Sequence, residues 1–229
     1  MPTLLAVGAH YDDCVFGVGG MLLRAVRKNY RTVVLAVIGD YSNWKPVRGR
    51  EKELLARTAE LAKARGVEMR FLGFAEQKFD VNEETKRAVS RVVAEVQPDV
   101  ALMLWKDDRH SDHVVASALS QVALQHGDRL LEPGAAYRPA RSIYWYDNGP
   151  GHTIGFEPDT YVDVTDVWAE ASDWLGELMA FVRQKPYDKA APDGAQTAKE
   201  TLARYRGSAC GVRYAEALRA FRPRPQDLP

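Results

Sequence analysis

The chain has 229 residues, 46% of them hydrophobic, and its 31 Lys and Arg balance 31 Asp and Glu for a formal net charge of zero. This length suits a single domain over residues 1–229 with a sizeable core, and the neutral balance gives no reason to expect nucleic acid or an anionic membrane as partner. Two cysteines, Cys14 and Cys210, exclude a disulfide framework, no run reaches the roughly 20 apolar residues of a membrane span, and Met1-Pro2-Thr3 has no signal-peptide pattern, so a cytoplasmic protein without membrane insertion is expected.

Strand and helix patterns alternate from the start. Leu4-Leu5-Ala6-Val7 marks a buried strand over Thr3–Val7, and Phe16–Lys28 reads as a helix. Thr32–Ile38 is nearly continuous apolar, as in a strand covered on both faces. Gly39–Val47 reads as a polar loop with Tyr41 and Trp44 exposed. From Arg48 to Arg65 the period is helical, with Leu54, Leu55, Thr58, Leu61 and Ala62 on one face and Gly66 as the stop. Glu68–Leu72 is a short strand, and Asn82–Val96 a helix capped by Asn82. Asp99–Leu104 is a strand and Ser111–Gln125 a helix. This order predicts an α/β fold, a Rossmann-like, mostly parallel sheet sandwiched between helices. Further on, Arg141–Tyr146 and Thr160–Val164 read as strands and Val167–Val182 as a helix. Asn148–Asp159 and Lys185–Gln196, rich in Gly, Pro and Asp, read as surface loops, a kind that tends to carry function when long. The tail, Arg222 to Pro229, is expected to fray.

The run Gly8-Ala9-His10-Tyr11-Asp12-Asp13-Cys14 follows the first strand. It places a histidine and two carboxylates at the strand's C-terminal end, where open α/β sheets bind ligands. Imidazole and carboxylate suit zinc, and two adjacent carboxylates in one crevice need a counter-cation. His110-Ser111-Asp112-His113 follows a strand that ends at the same edge and opens a helix, and its spacing lets both histidines share a face. His10, Asp13 and His113 can then converge on one metal, with the open fourth position of a catalytic zinc site. Gly17, Gly19 and Gly20 lack the Gly-x-Gly-x-x-Gly spacing of a dinucleotide fold. Tyr41 and Trp44 can stack on a ring-shaped ligand or equally serve as packing residues, and His152 lies in a loop able to cap the pocket. Cys14 reads as a small buried residue at the helix start.

The segment Ala9-His10-Tyr11-Asp12-Asp13 resembles the Ala-His-Pro-Asp-Asp signature of the LmbE-like, or PIG-L, zinc-dependent deacetylases, and His110-Ser111-Asp112-His113 resembles their His-Pro-Asp-His motif. Gly19-Gly20, Gly66–Phe74, Tyr161–Asp166 and Arg206–Glu216 are also similar. The resemblance implies His10, Asp13 and His113 as ligands of zinc or another divalent metal. It implies Asp12 as general base, a protonated His110 at the oxyanion, and Asp112 orienting His110. It places Arg48 and Arg50 where relatives carry a substrate-contacting arginine. The activity implied is metal-dependent amide hydrolysis, removing the N-acetyl (N-acyl) group of an amino sugar or its conjugate. The arginines add the expectation of a polar or anionic aglycone. A homo-oligomer stays open. The alternative is a catalytically silent zinc- or sugar-binding protein of the same fold, against which the retained Asp12 and His110 argue. Tyr11 and Ser111 stand where the signature has proline, and Cys14 where many relatives have Glu. The family's late His-x-Ser-Gln-like segment is not recognisable around Ala180–Tyr187. Glu216 reads as structural, paired with an arginine.

Overall fold

The computed structural model describes residues 1–223, so most of the segment expected to fray, from Arg224 onward, lies outside the described residues. Seven strands form one sheet: β1 (Thr3–Gly8), β2 (Arg31–Asp40), β3 (Val67–Ala75), β4 (Val100–Leu104), β5 (Ser142–Tyr146), β6 (Thr160–Asp163) and β7 (Ala215–Ala220). Their order is β3-β2-β1-β4-β5-β7-β6. The first five are parallel, and β7 runs antiparallel between β5 and β6. Six α-helices accompany them among the described residues: α1 (Asp13–Arg27), α2 (Glu51–Lys63), α3 (Glu83–Val96), α4 (Ser111–His126), α5 (Trp168–Val182) and α6 (Gly194–Cys210). This is the α/β architecture that the alternation predicts. No helix among the described residues is long and apolar enough to cross a membrane.

The topology explains where a site can form. From β1 the chain steps to β2 and β3 on one side, then crosses to β4 on the other. β1 and β4 pair in parallel with Val7 opposite Met103, so the two loops that follow them leave the same edge side by side. That point, where the strand order reverses, is the crevice of open α/β sheets. Every residue of β1 is buried, which requires its unbroken apolar run.

Four features depart from the sequence reading. Helix α1 starts at Asp13, three residues early, so Asp13 belongs to its first turn. Tyr41 is buried rather than exposed (1% accessible). Helix α6 and strand β7 occupy stretches assigned no element, and α6 takes over the end of the Lys185–Gln196 loop. The buried side of α6 carries Gln196, Lys199, Ala203 and Gly207, which have no hydrophobic period. Strand β7 reads Ala-Glu-Ala-Leu-Arg-Ala, with none of the β-branched or aromatic residues that favour strands.

The buried polar residues of these two elements have a joint task. Helix α1 is broken at Val18 (φ −138°, ψ 21°). A regular helix would send the Gly20 N–H to the Phe16 carbonyl four residues back. Instead the Gly20 and Met21 amides donate to the Glu216 carboxylate at 2.8 and 2.7 Å. The freed Phe16 carbonyl accepts from the Lys199 ammonium at 2.5 Å, and Lys199 pairs with Glu216 at 2.8 Å. A buried ion pair thus replaces the missing helical bonds, and the partner of Glu216 is a lysine rather than the expected arginine. Gly20 is required here, since a Cβ would lie 2.8 Å from that of Val164. Lys199→Met keeps the stem but strands the buried carboxylate, so it should cost about 3–5 kcal/mol in denaturant unfolding. Adding Glu216→Gln should recover part of that loss, and a single variant as stable as the parent would refute the splice.

Candidate active site

The turn between β1 and α1 folds back on Asp13. Its Oδ2 accepts the Ala9 and His10 amides at 2.8 and 2.7 Å, and its Oδ1 accepts the Asn148 side-chain amide at 2.8 Å. Gly8 is needed for this, because a Cβ there would lie 2.9 Å from the Asp13 Cβ. His113, in the first turn of α4, completes a triangle. His10 Nδ1 lies 3.2 Å from His113 Nε2 and 3.4 Å from Asp13 Oδ2, and His113 Nε2 lies 3.2 Å from Asp13 Oδ1. Donor atoms around a four-coordinate ion with bonds of roughly 2.0–2.1 Å have this spacing.

Each histidine has a carboxylate behind it. Asp112 Oδ2 is 3.3 Å from His10 Nε2, and Asp108 Oδ2 is 3.1 Å from His113 Nδ1. Such pairs fix ring orientation and raise ligand basicity. Burial alone would lower both imidazoles. Asp13, with Asp112 for one and Asp108 for the other, instead raises His10 to about 10 and His113 to about 9. The pocket thus favours positive charge at this spot, and a divalent cation with neutral imidazole and carboxylate donors satisfies it. The donor set and spacing fit zinc.

The adjacent aspartates are driven apart. Although burial raises both, His113 and His10 hold Asp13 well below the usual carboxylate range. Burial and the Asp13 charge raise Asp12 to about 6, and its side chain caps no helix amide. Two carboxyls separated in this way are suited to different roles: an anchored anion and a proton carrier near neutral pH.

His110 sits at the N-cap of α4, its Nδ1 accepting the Asp112 backbone amide at 3.3 Å. Burial, then the His10 and His113 charges, lower its pKa, which disfavours the protonated resting form expected from the sequence. With Nδ1 accepting, the neutral ring carries its proton on Nε2 as a donor. Asp112 orients His110 through its amide, while its carboxylate turns to His10. Asp108 and Asn148 were not singled out from the sequence. Asp108 lies in the β4–α4 loop, five residues before His113 in α4, and Asn148 is two residues past β5 on the same sheet edge, the one signal that points to them.

A cavity of about 460 Å³ opens over these groups, its lining including Phe16, Glu76, Ala195 and Ala198. One wall is aromatic: Tyr11, Tyr41 and Trp44, with ring centroids 5.7–6.0 Å apart. Tyr41 is fixed there by accepting the Tyr11 amide at 2.9 Å. His152 stands at the rim, 5.2 Å from the His113 ring. Its loop is pinned to the β4–α4 loop by Arg109 N–H to His152 O and Ile154 N–H to Asp107 O, both 2.9 Å. Among the described residues, no lysine or arginine lines the cavity. Arg48 is exposed and outside it, and Arg50 donates to the Pro46 and Phe181 carbonyls and covers the Phe181 ring. Both arginines thus stand outside the cavity lining, contrary to the expected substrate contacts. Cys14 is buried against the Tyr146 hydroxyl at 3.3 Å, and burial pushes its thiol up, so it is an inert core residue.

Residues 5–124 match the family model described as PIG-L, GlcNAc-PI de-N-acetylase. A 4-oxalmesaconate hydratase from Pseudomonas putida KT2440 is 24% identical over 186 residues, covering 72% of this chain and 69% of that protein. Among solved structures, the 4-carboxy-2-hydroxymuconate hydratase GalB from the same strain superposes with a TM-score of 0.81 at 20% identity, covering 100% of this chain and 99% of that one. The N,N'-diacetylchitobiose deacetylase from Pyrococcus horikoshii superposes with a TM-score of 0.75 at 20% identity, covering 96% of this chain and 83% of that one. These structures share the fold.

Proposed function

This chain belongs to the PIG-L family, and from that premise we propose that it hydrolyses the N-acyl amide of an amino sugar or its conjugate. The observation that carries the reading is the close triangle of His10, Asp13 and His113 donor atoms, 3.2–3.4 Å apart, with the Asp12 carboxyl beside it in the same cavity. His10, Asp13 and His113 would hold the metal. Bound there, zinc would supply Lewis acidity and a water of pKa near 7. Asp12 takes the proton from the attacking water and delivers it to the leaving amine nitrogen. The His110 Nε2–H donates to the amide oxygen as it gains negative charge. Asp112 and Asp108 hold His10 and His113 in orientation, and the Asn148–His152 loop limits water at the rim.

The hydratase relative makes hydration of an unsaturated acid the competing reading. A substrate of several carboxylates would meet a cavity that no lysine or arginine lines among the described residues, whereas an uncharged N-acetyl sugar meets an aromatic wall. N-acetylglucosamine glycosides incubated with zinc-loaded protein should release acetate and a free amine in equal amounts. Loss of the conjugated absorbance of an unsaturated hydroxy acid, with no acetate released, would favour the hydratase. Zinc and sugar binding without turnover of either would identify a silent binder.

A further inference from the structure

A second concavity, of about 520 Å³, lies beside the first and shares Gly149, Pro150 and Ala198 with it. One face of α6 runs past both. Ala195 and Ala198 face the inner cavity, and Ala198, Leu202 and Tyr205 face the outer one. At 1.5 Å per residue, Ala195 to Tyr205 spans about 15 Å, the length of an extended molecule of two or three rings. Small side chains leave room near the metal-ligand triangle, and an aromatic stands at the far end.

The outer groove is built to be apolar and uncharged. Tyr205 is 64% accessible, one of the five large apolar side chains exposed among the described residues, and Pro150, Phe156 and Leu202 line the groove with it. Apolar surface gathered in a concavity marks interaction sites. The one cation that lines the groove among the described residues, Arg206, is paired with Asp147 at 2.6 Å, and its guanidinium covers Phe156 and Tyr205 at 5.5 and 5.3 Å.

We propose that this groove is a second subsite, which binds an uncharged ring-shaped group attached to the amide-bearing part of the substrate. It rests on the reading of the inner cavity as the amide site. An anionic group would gain nothing from an arginine already paired, whereas a ring face stacks on Tyr205 and displaces water from Leu202 and Pro150.

The test compares the phenyl and methyl β-glycosides of N-acetylglucosamine. The parent protein should favour the phenyl glycoside about tenfold in kcat/KM, mainly through KM, and Tyr205→Ala should cut that preference to about twofold or less. Equal preference in both proteins would overturn the proposal. If neither glycoside is deacetylated, the reading of the function fails, and the groove is decided separately with phenyl β-glucoside, which has no amide. Saturation-transfer NMR should show its ring bound to the parent and lost in Tyr205→Ala. No binding, or binding unaffected by the substitution, overturns the subsite.

Discussion

Asp12→Asn is expected to lower turnover by about 10²–10⁴-fold while leaving metal content unchanged. The substitution keeps the shape and the Asp12 carbonyl that accepts the Phe16 amide at 2.8 Å, so α1 still starts in place. It removes only a proton acceptor, a carboxyl that burial and the neighbouring Asp13 raise to about 6. Asp13→Asn is the contrasting variant. Its carboxylate accepts three hydrogen bonds and lies against both histidines, so its loss should empty the metal site. Metal analysis beside steady-state rates separates the two. Were Asp12→Asn to lose its metal and regain normal rates in excess zinc, the roles of the neighbours would be reversed.

The second large effect is at His113. His113→Ala should reduce bound zinc from about one per chain to near zero and abolish turnover, with the circular dichroism spectrum intact. The ring is buried and contacts two carboxylates, Asp13 and Asp108. Removing it therefore also frees a repulsion that only a cation can offset. His110→Ala provides the control, since its ring stands outside the triangle: rates should fall with zinc retained. Equal zinc loss in both variants would make His110 a ligand.

Much of the sheet was legible because buried parallel strands are written as apolar runs, as in Thr32–Ile38, and because Asn82 capped its helix as read. The convergence of His10, Asp13 and His113 was legible for a topological reason. Both motifs follow parallel strands, and parallel strands end at one edge. What stayed hidden depends on tertiary partners. Tyr41 sits in a polar stretch yet is drawn inside by the Tyr11 amide. Arg50 has the right position for a substrate contact, but the carbonyls of Pro46 and Phe181 hold it elsewhere. Helix α6 carries an ion pair on its buried face, so no apolar period marks it. Asp108 had no mark beyond proximity, because a carboxylate behind a ligand acts through a ring that the sequence cannot orient.

The splice in α1 has a consequence for how this chain acquires its shape. The amides of Gly20 and Met21 wait for a carboxylate 196 and 195 residues downstream. During synthesis, the first strand and helix emerge long before the segment that completes them. A ribosome-bound fragment ending before β7 can pair β1 with β2 and β4, but its first helix must either straighten or leave two amides to water. The geometry from Phe16 to Met21 is therefore a late event, set when β7 enters between β5 and β6. Contacts so distant along the chain slow folding. They also make the carboxy-terminal strand a condition for the amino-terminal site, so that a chain truncated before Glu216 should retain much of its sheet and lack a competent cavity.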